Sequence, residues 1–389
     1  MIRLSATRPW LLRAAVVAVS AMVLALTLVS NVPLSEAERA LVAEVDRIAR
    51  TGADGSGRVF PLLVKGDGEQ WYQPMAVYPP LFLLRIGLPP TLAFRLPSAI
   101  AALLTIVLIY LLGVRATGIQ PIAALSVLLL LLMPGFVAHA HTAGADLMMV
   151  PPILFWLLCV LRYIERPRTW LLLVSGVVLG TSLYTQPAGV LSVPVYLAIG
   201  GGVLIARGCD TRMLAVAALG VVLAALPAVV SVWQDPASYP DTFGRWAVHA
   251  AHIRDPWQGL IASTAWHVMG RRVGAYWDYM RPTFLFASGT LFTAGMGIPI
   301  ALGFRGRDDS GHAVGDRLII AGFLAAPVAA VLLDVSPRAS LAILIAPFGA
   351  LLGARGLAAL LAHRRGPVRL AGVALLALLV VGASDLINV

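Results

Sequence analysis

The sequence predicts an all-α protein that crosses a membrane many times. Of its 389 residues, 59% are hydrophobic and only 12% are charged, and the mean hydropathy is +0.86, far outside the range of soluble domains. Apolar runs long enough to cross about 30 Å of hydrocarbon recur along the whole chain. We therefore expect a single transmembrane domain over residues 1–389, without a C-terminal soluble domain.

The apolar runs predict about eleven membrane-spanning helices. A shorter segment, Met75–Leu88, is interrupted and followed by prolines, so we expect it to lie at the interface or to re-enter the membrane. The predicted spans are 11–32, 96–114, 119–138, 147–164, 169–187, 190–206, 213–233, 284–304, 318–333, 341–361 and 370–388.

The distribution of arginine predicts the orientation. Arginine in short loops favours the cytoplasmic side, and a cytoplasmic N-terminus places most arginines inside. The short turns near 139–146, 186–189 and 334–340 then lie outside, and they contain a single arginine, Arg338. The two long loops, 33–95 and 234–283, also lie outside. Arginines facing anionic lipid explain the net charge of +10, so no nucleic acid partner is needed.

Residues 35–50 of the first long loop have the period of an amphipathic helix. Apolar residues recur at intervals of four, four and three, whereas charged residues occupy the other side. The apolar positions are Ala37, Leu41, Val45 and Ile48. We expect this helix to lie in the membrane interface and to end at Thr51-Gly52.

Two carboxylates stand in the first turn of that helix. Ser35 and Glu38 have the spacing of a capping box, so Glu38 is expected to satisfy backbone amides, and glutamine should replace it with little effect. Glu36 has no capping role, and the helix N-terminus favours its ionised form. It is either a solvated surface residue or a base that accepts a proton from an incoming hydroxyl.

Other residues of the first loop have alternative roles. Asp54, in a glycine-rich stretch, either caps a turn or contacts a polar substrate. Three aromatic residues either anchor the loop at the headgroup level or stack on a sugar ring. They are Trp71, Tyr72 and Tyr78.

The second long loop is rich in tryptophan and arginine, and two interpretations are open. Both residue types anchor proteins at the headgroup level, but one or two arginines could instead hold a lipid-linked phosphate. Arg281, where the loop meets the membrane, is the stronger candidate for a phosphate contact. The tryptophans and the other arginines of this loop are Trp246, Trp257, Trp266, Trp277, Arg245, Arg254, Arg271 and Arg272.

One short outer turn contains His139, His141 and Asp146. Two histidines at this spacing face the same way only on an extended strand, so the pattern is weak evidence for a metal site. From the residues alone, Asp146 is a charge at a helix N-terminus.

The ordered set of motifs resembles bacterial GT-C membrane glycosyltransferases that use polyprenyl-phosphate sugars, such as aminoarabinose transferases and protein O-mannosyltransferases. The resemblance spans nearly the whole chain. It rests on the acidic residues after the first helix, the G-x-D-x-x-G-x-x-F-P stretch over 52–61, the segment Pro74–Pro79, Phe94-Arg95-Leu96-Pro97, Arg281-Pro282-Thr283-Phe284 and Pro337-Arg338-Ala339.

The resemblance implies an inverting transferase of the bacterial inner membrane, active on the periplasmic face. Its partners would be a polyprenyl-phosphate-linked sugar, a lipid, glycan or protein acceptor and membrane lipids, and no cofactor or metal is expected. The catalytic candidates are Glu36 and Glu38. The substrate-binding candidates are Asp54, Lys65, Tyr78, Arg95, Asp146, Arg281 and Arg338.

The chain departs from the family pattern at two positions. The family usually carries Asp-Glu after the first helix, where this chain has Ser35-Glu36. The aminoarabinose transferases carry a lysine where this chain has Gln73. Two alternatives therefore stand beside the enzyme: a non-catalytic relative that binds polyprenyl lipid, and a lipid or sugar transporter. A transporter is disfavoured because transporters usually place ionisable residues within their spans, and few are evident here.

Overall fold

The structure, a computed structural model, describes residues 34–66, 71–234, 266–286, 291–305, 313–333 and 337–384, together with Ala18. These residues are predominantly helical. The α-helices are α1 (Glu36–Thr51), α2 (Pro74–Arg85), α3 (Pro90–Thr117), α4 (Gln120–Leu131), α5 (Pro134–His141), α6 (Val150–Glu165), α7 (Thr169–Gly180), α8 (Pro187–Ala206), α9 (Thr211–Gln234), α10 (Trp266–Met280), α11 (Pro282–Phe286), α12 (Gly297–Gly303), α13 (Ala313–Ala325), α14 (Val328–Leu333), α15 (Ile345–Leu361) and α16 (Gly366–Ser384).

Short 3₁₀ segments extend three of these helices, at Asp146–Met149, Thr181–Tyr184 and Ala294–Met296. Two short strands, β1 (Val64–Lys65) and β2 (Trp71–Tyr72), pair antiparallel between α1 and α2. In their register Val64 lies opposite Tyr72, and Lys65 lies opposite Trp71.

The described residues contain five helical segments that are long and apolar enough to cross a membrane, or six if one bent pair is a single span. The sequence predicted about eleven spans. Each predicted span after the first overlaps helix, but several helices are too short to qualify alone, and most of the span 11–32 lies outside the described residues. The count of about eleven therefore stays a prediction.

The predicted span 119–138 is bent instead of straight. Its two parts, α4 and α5, meet at 66°. Met133, the residue before Pro134, has an extended backbone with φ −91° and ψ 118°. A proline disfavours the helical conformation of the preceding residue and suits the first helical position, so the chain ends one helix and begins another at this point.

The core of the bundle is fixed by hydrogen bonds of buried aromatic side chains. The Trp156 indole donates to the Tyr196 carbonyl at 2.8 Å, and the Tyr196 hydroxyl donates to the Gly322 carbonyl at 3.0 Å. The Tyr196 ring also stacks on Phe348, with centroids 5.9 Å apart. These contacts join α6, α8, α13 and α15.

Glycine allows α12 and α15 to pack backbone against backbone. A Cβ on Gly303 would lie 2.0 Å from the Leu352 carbonyl oxygen, and one on Gly356 would lie 1.9 Å from the Pro299 carbonyl oxygen. Small residues at helix interfaces permit such close approach within membranes.

One end of the bundle collects termini that the sequence places on the cytoplasmic side. Arg115 at the end of α3 pairs with Glu165 at the end of α6. Nearby, α13 approaches α3 so closely that a Cβ on Gly315 would lie 2.4 Å from the Ala116 Cα. The next residue, Asp316, forms a buried ion pair with Arg355 at 3.0 Å. This pair was missed in the sequence, and it places two ionisable groups inside helices of the bundle.

The apolar side of α1 packs against the protein. Leu41, Val45 and Ile48 are buried in a small second core with residues from β1, α2 and α3 and with Ala143, whereas Ala37 is exposed. A helix forms over the predicted segment, and its apolar residues Leu41, Val45 and Ile48 pack against the protein. Its placement in the membrane interface stays a prediction.

Candidate active site

The first turn of α1 contains the capping box that the sequence predicts. The Ser35 hydroxyl accepts from the Glu38 amide at 3.3 Å, and the Glu38 carboxylate accepts from the Ser35 amide at 2.7 Å. Gly52 ends the helix in the left-handed conformation, with φ +73°. Glu36 in the same turn is exposed.

Glu38 has a second role that the sequence does not reveal. Its other carboxylate oxygen accepts a hydrogen bond from the Ala143 amide at 2.6 Å, between residues 105 positions apart. The side chain is only 9% exposed. A glutamine has one acceptor oxygen and cannot serve both amides, so the expectation that Glu38→Gln has little effect does not fit this geometry.

Asp54 organises the first loop. It is 3% exposed, and its carboxylate accepts six hydrogen bonds, all from the loop itself: three from Arg58, two from Ser56 and one from the Lys65 amide. Burial alone raises the pKa of Asp54, but these donors outweigh it and hold the pKa below its ordinary value of 3.8. Of the two roles predicted for Asp54, the structure favours the turn.

The other first-loop candidates lie around this turn. The Lys65 ammonium stands 5.7 Å from the centre of the Trp71 ring, and the Arg58 guanidinium stands 4.9 Å from it. The Tyr78 hydroxyl donates to the Pro61 carbonyl and so ties α2 to the loop. Lys65 and Tyr78 are thus held next to the Asp54 turn.

The three short turns predicted to lie outside meet at one end of the bundle. The Gln186 amide group donates to the Asp146 carbonyl at 3.3 Å and to the Ser340 carbonyl at 3.2 Å. The Ser98 hydroxyl donates to the Gly144 carbonyl at 2.8 Å, beside the bond from Ala143 to Glu38. One continuous set of contacts therefore joins α1 to all three turns.

Charged residues flank these contacts. Arg95, which is 4% exposed on α3, lies close enough to His141 for their charges to interact, and the charges of Asp146 and His139 interact as well. Within the described residues, no group of three or more His, Cys, Asp or Glu side chains is arranged to hold a metal ion.

The end of the second long loop approaches the same turns. The Tyr279 hydroxyl, on α10, accepts from the Arg338 amide at 3.3 Å. Arg281, two residues after Tyr279, pairs with Asp278 at 2.9 Å, and its side chain is 68% exposed. The arginines and tryptophans predicted between 245 and 257 lie outside the described residues.

Arg272 is a further candidate that the sequence ranks too low. It lies two helical turns before Tyr279 and is only 7% exposed. No carboxylate within the described ranges pairs with its guanidinium, and its Nε has no hydrogen-bond partner there. A buried guanidinium with these surroundings suits an anionic ligand. The helical spacing of apolar residues in α10 was the sequence signal that could have placed Arg272 on the buried side of this helix.

The structure thus connects some sequence-predicted residues and separates others. Glu38, Arg95, Asp146 and Arg338 belong to one set of neighbouring turns, whereas Lys65 and Tyr78 surround the Asp54 turn. Glu36 and Arg281 project from this region with exposed side chains. Gln186 and Tyr279, which hold the turns together, were not predicted.

Part of the chain matches a known protein family. Residues 74–233, less than half of the chain, match the family model described as dolichyl-phosphate-mannose-protein mannosyltransferase. No curated protein sequence matches the chain.

Solved structures match over much more of its length. ArnT from Cupriavidus metallidurans bound to undecaprenyl phosphate matches with a TM-score of 0.60 and 16% identity, over 94% of this chain and 63% of ArnT. The apo form of that protein matches with a TM-score of 0.60 and 19% identity, over 96% of this chain and 64% of ArnT.

The archaeal oligosaccharyltransferase AglB from Archaeoglobus fulgidus, in complex with an inhibitory peptide and a dolichol-phosphate, matches with a TM-score of 0.56 and 14% identity, over 96% of this chain and 55% of AglB. The chain thus spans less than two thirds of the length of these proteins. At these identities the similarity establishes the fold, and it confirms the resemblance stated from the sequence: the chain has the fold of the GT-C membrane glycosyltransferases.

Proposed function

We propose that this protein is a membrane glycosyltransferase. It takes a sugar from a polyprenyl-phosphate donor and transfers it, with inversion, to a lipid, glycan or protein acceptor. The reaction takes place at the periplasmic face of the bacterial inner membrane, with the N-terminus of the chain in the cytoplasm.

The observation that carries the proposal is the joining of the first loop to the end of the bundle where the arginines lie. The bond from Ala143 to Glu38 fixes the acidic start of α1 against the 142–146 turn, and Gln186 and Tyr279 connect that turn with the region of Arg338. A carboxylate and several guanidinium groups thus share one end of a fold in which ArnT and AglB were solved with polyprenyl phosphates.

These groups match the needs of glycosyl transfer. The acceptor hydroxyl gives its proton to a carboxylate while its oxygen bonds to the anomeric carbon of the sugar. The bond between that carbon and the phosphate oxygen breaks, and the polyprenyl phosphate leaves with increased negative charge. A general base assists the first change, and fixed cations stabilise the second.

Glu36 is the proposed base because it is the first-turn carboxylate with no backbone amide to satisfy. Glu38 positions it, since both Glu38 oxygens are occupied by amides. Arg281 follows Tyr279 by two residues, and the Arg338 amide donates to the Tyr279 hydroxyl, so these two arginines are proposed to hold the phosphate. Arg95 and Asp146 are proposed as further substrate contacts. Asp54, Lys65 and Tyr78 shape the loop that covers the donor.

The test is turnover of a defined donor. The purified chain in lipid nanodiscs is incubated with radiolabelled pentosyl- and hexosyl-polyprenyl phosphates and a cell-envelope extract as acceptor source. Release of polyprenyl phosphate together with a labelled acceptor is the expected result. If the chain binds polyprenyl phosphate but turns over no donor, it is a non-catalytic relative. If it neither binds nor reacts, the proposal is wrong.

A further inference from the structure

The first loop exposes large apolar side chains although its own core is complete. Phe60 is 47% exposed, Phe82 is 63% exposed and Ile86 is 57% exposed. Val59, beside Phe60, is 75% exposed. The apolar stripe of α1 is buried against β1, α2 and α3, so it does not cover these residues. Contiguous exposed apolar residues commonly mark an interaction surface.

These residues form one patch at the C-terminal end of α2. Phe82 and Ile86 are four residues apart, and the Ile86 amide donates to the Phe82 carbonyl at 3.2 Å, so both stand on one side of the helix end. The Arg85 guanidinium, between them in sequence, lies 5.5 Å from the centre of the Phe60 ring. Arg85 therefore connects the loop with α2.

The backbone holds Phe60 in this position. Its φ is +43°, a conformation that bulky residues rarely adopt. The Phe60 amide donates to the Gly52 carbonyl at 3.0 Å, and Ala53 and Val59 form a β-bridge. The six bonds to Asp54 fix the turn between them. A strained and exposed Phe that the surrounding structure holds in place indicates a functional constraint.

The position of the patch identifies what covers it. Ile86 lies four residues before Pro90, where α3 begins, and α3 is an apolar helix of 28 residues, long enough to cross a membrane. At 1.5 Å per residue it measures about 42 Å, longer than the ~30 Å hydrocarbon layer. The apolar run predicted from the sequence, 96–114, begins six residues after the start of α3. The first turns of α3 are therefore assigned to the level of the lipid headgroups, and the patch lies beside them.

We propose that Phe60, Phe82 and Ile86 insert into the lipid bilayer surface, with Arg85 at the level of the headgroup phosphates. The occupant is the bilayer itself, because the patch is continuous with a helix that enters it and carries a cation suited to anionic lipid. The membrane contact of this loop is then the α2 end and the 59–60 turn, and the apolar stripe of α1 has no part in it. This anchoring sets the height of the first loop above the membrane, whatever reaction the protein catalyses.

Fluorescence depth measurement tests the proposal. Single cysteines replace Phe60, Phe82 or Ala43 in a C209S background, in which Cys159 remains buried. Ala43 is the matched control, since it is an exposed residue on α1 away from the patch. Each full-length variant is labelled with the environment-sensitive dye NBD and placed in nanodiscs with and without anionic lipid.

Probes at positions 60 and 82 should emit at shorter wavelength than the probe at 43. They should also be quenched several-fold less by aqueous iodide and strongly by lipids that carry a quencher near the headgroups. Equal iodide quenching at all three positions would overturn the proposal, as would protection from iodide without quenching by the lipids. If the Phe60 variant is not monodisperse after purification, the proposal is tested with the probe at position 82 alone.

Discussion

The Glu38 carboxylate accepts hydrogen bonds from the amides of Ser35 and Ala143, at 2.7 and 2.6 Å. One bond closes the capping box of α1, and the other reaches the turn that leads to Asp146. This buried side chain therefore attaches the first turn of α1 to the bundle. Any displacement of this carboxylate changes where the neighbouring Glu36 stands relative to the rest of the site.

Replacing Glu38 by glutamine should destabilise the protein. The glutamine oxygen can satisfy one amide, and its NH₂ group then faces the other amide, donor against donor. A buried polar group left without a partner costs about 1–3 kcal/mol. Thermal unfolding in detergent should show a lower Tm for Glu38→Gln, whereas Asp46→Asn, on the exposed side of α1, should leave it unchanged. Equal Tm values would show that the Ala143 bond contributes nothing.

Glu36→Gln should abolish most activity without affecting the fold. Glutamine keeps the size and polarity of the side chain but cannot take up a proton, and loss of a general base lowers rates by ~10²-fold or more. The donor turnover assay measures this effect, with Asp46→Asn as the matched control and an unchanged Tm as the check on folding. A fully active Glu36→Gln variant would transfer the role of base to another carboxylate, with Asp146 the next candidate.

The phosphate contact can be assigned among the arginines. If Arg281 holds the leaving phosphate, Arg281→Ala should lower turnover by ~10²–10³-fold, the effect of removing one transition-state charge contact. Arg212→Ala is the control, because Arg212 is also an exposed arginine paired with an aspartate, and its side chain is 87% exposed. A larger loss in Arg272→Ala than in Arg281→Ala would assign the contact to the buried arginine instead.

The Asp54 turn should be sensitive to acid. A carboxylate whose pKa is lower in the folded than in the unfolded state stabilises the fold above its ordinary pKa, here 3.8, and that contribution is lost as the pH falls through the lowered value. Asp54→Asn should therefore lower the free energy of opening this loop by about 1–3 kcal/mol at neutral pH.

Hydrogen exchange of the amides over residues 52–66 measures this opening. At neutral pH the variant should exchange faster than the wild type, and the difference should shrink as the pH drops below the ordinary value of 3.8. A difference that stays constant with pH would contradict the role of the ionised carboxylate.

The sequence predicted contacts between near neighbours and missed those between distant ones. The capping box, the end of α1 at Gly52 and the Asp54 turn depend on residues a few positions apart, so residue type and spacing suffice to predict them. The bond from Ala143 to Glu38 and the pairing of Asp316 with Arg355 depend on how helices pack, and spacing carries no information about that. The packing of Leu41, Val45 and Ile48 against the protein could not be predicted for the same reason: the period of a helix reveals an apolar side but not whether protein or lipid covers it.

Removing one partner of the Asp316–Arg355 pair should destabilise the protein, whereas replacing both residues together should not. Both side chains are about nine-tenths buried, 11% and 7% exposed, with Nη2 of Arg355 3.0 Å from Oδ2 of Asp316. Asp316→Asn removes the negative charge that lies 3.0 Å from the buried guanidinium, and breaking a buried pair in this way costs about 3–5 kcal/mol. The variant should have a much lower Tm, whereas Asp210→Asn, which disturbs an exposed pair, should not.

Replacing both residues by apolar ones of similar size, in Asp316→Leu with Arg355→Met, should recover most of the loss of stability, since buried ion pairs are often exchanged for hydrophobic contacts without destabilisation. If the double variant is as unstable as Asp316→Asn, the two charges have partners other than each other, and the pair does not act as a structural unit.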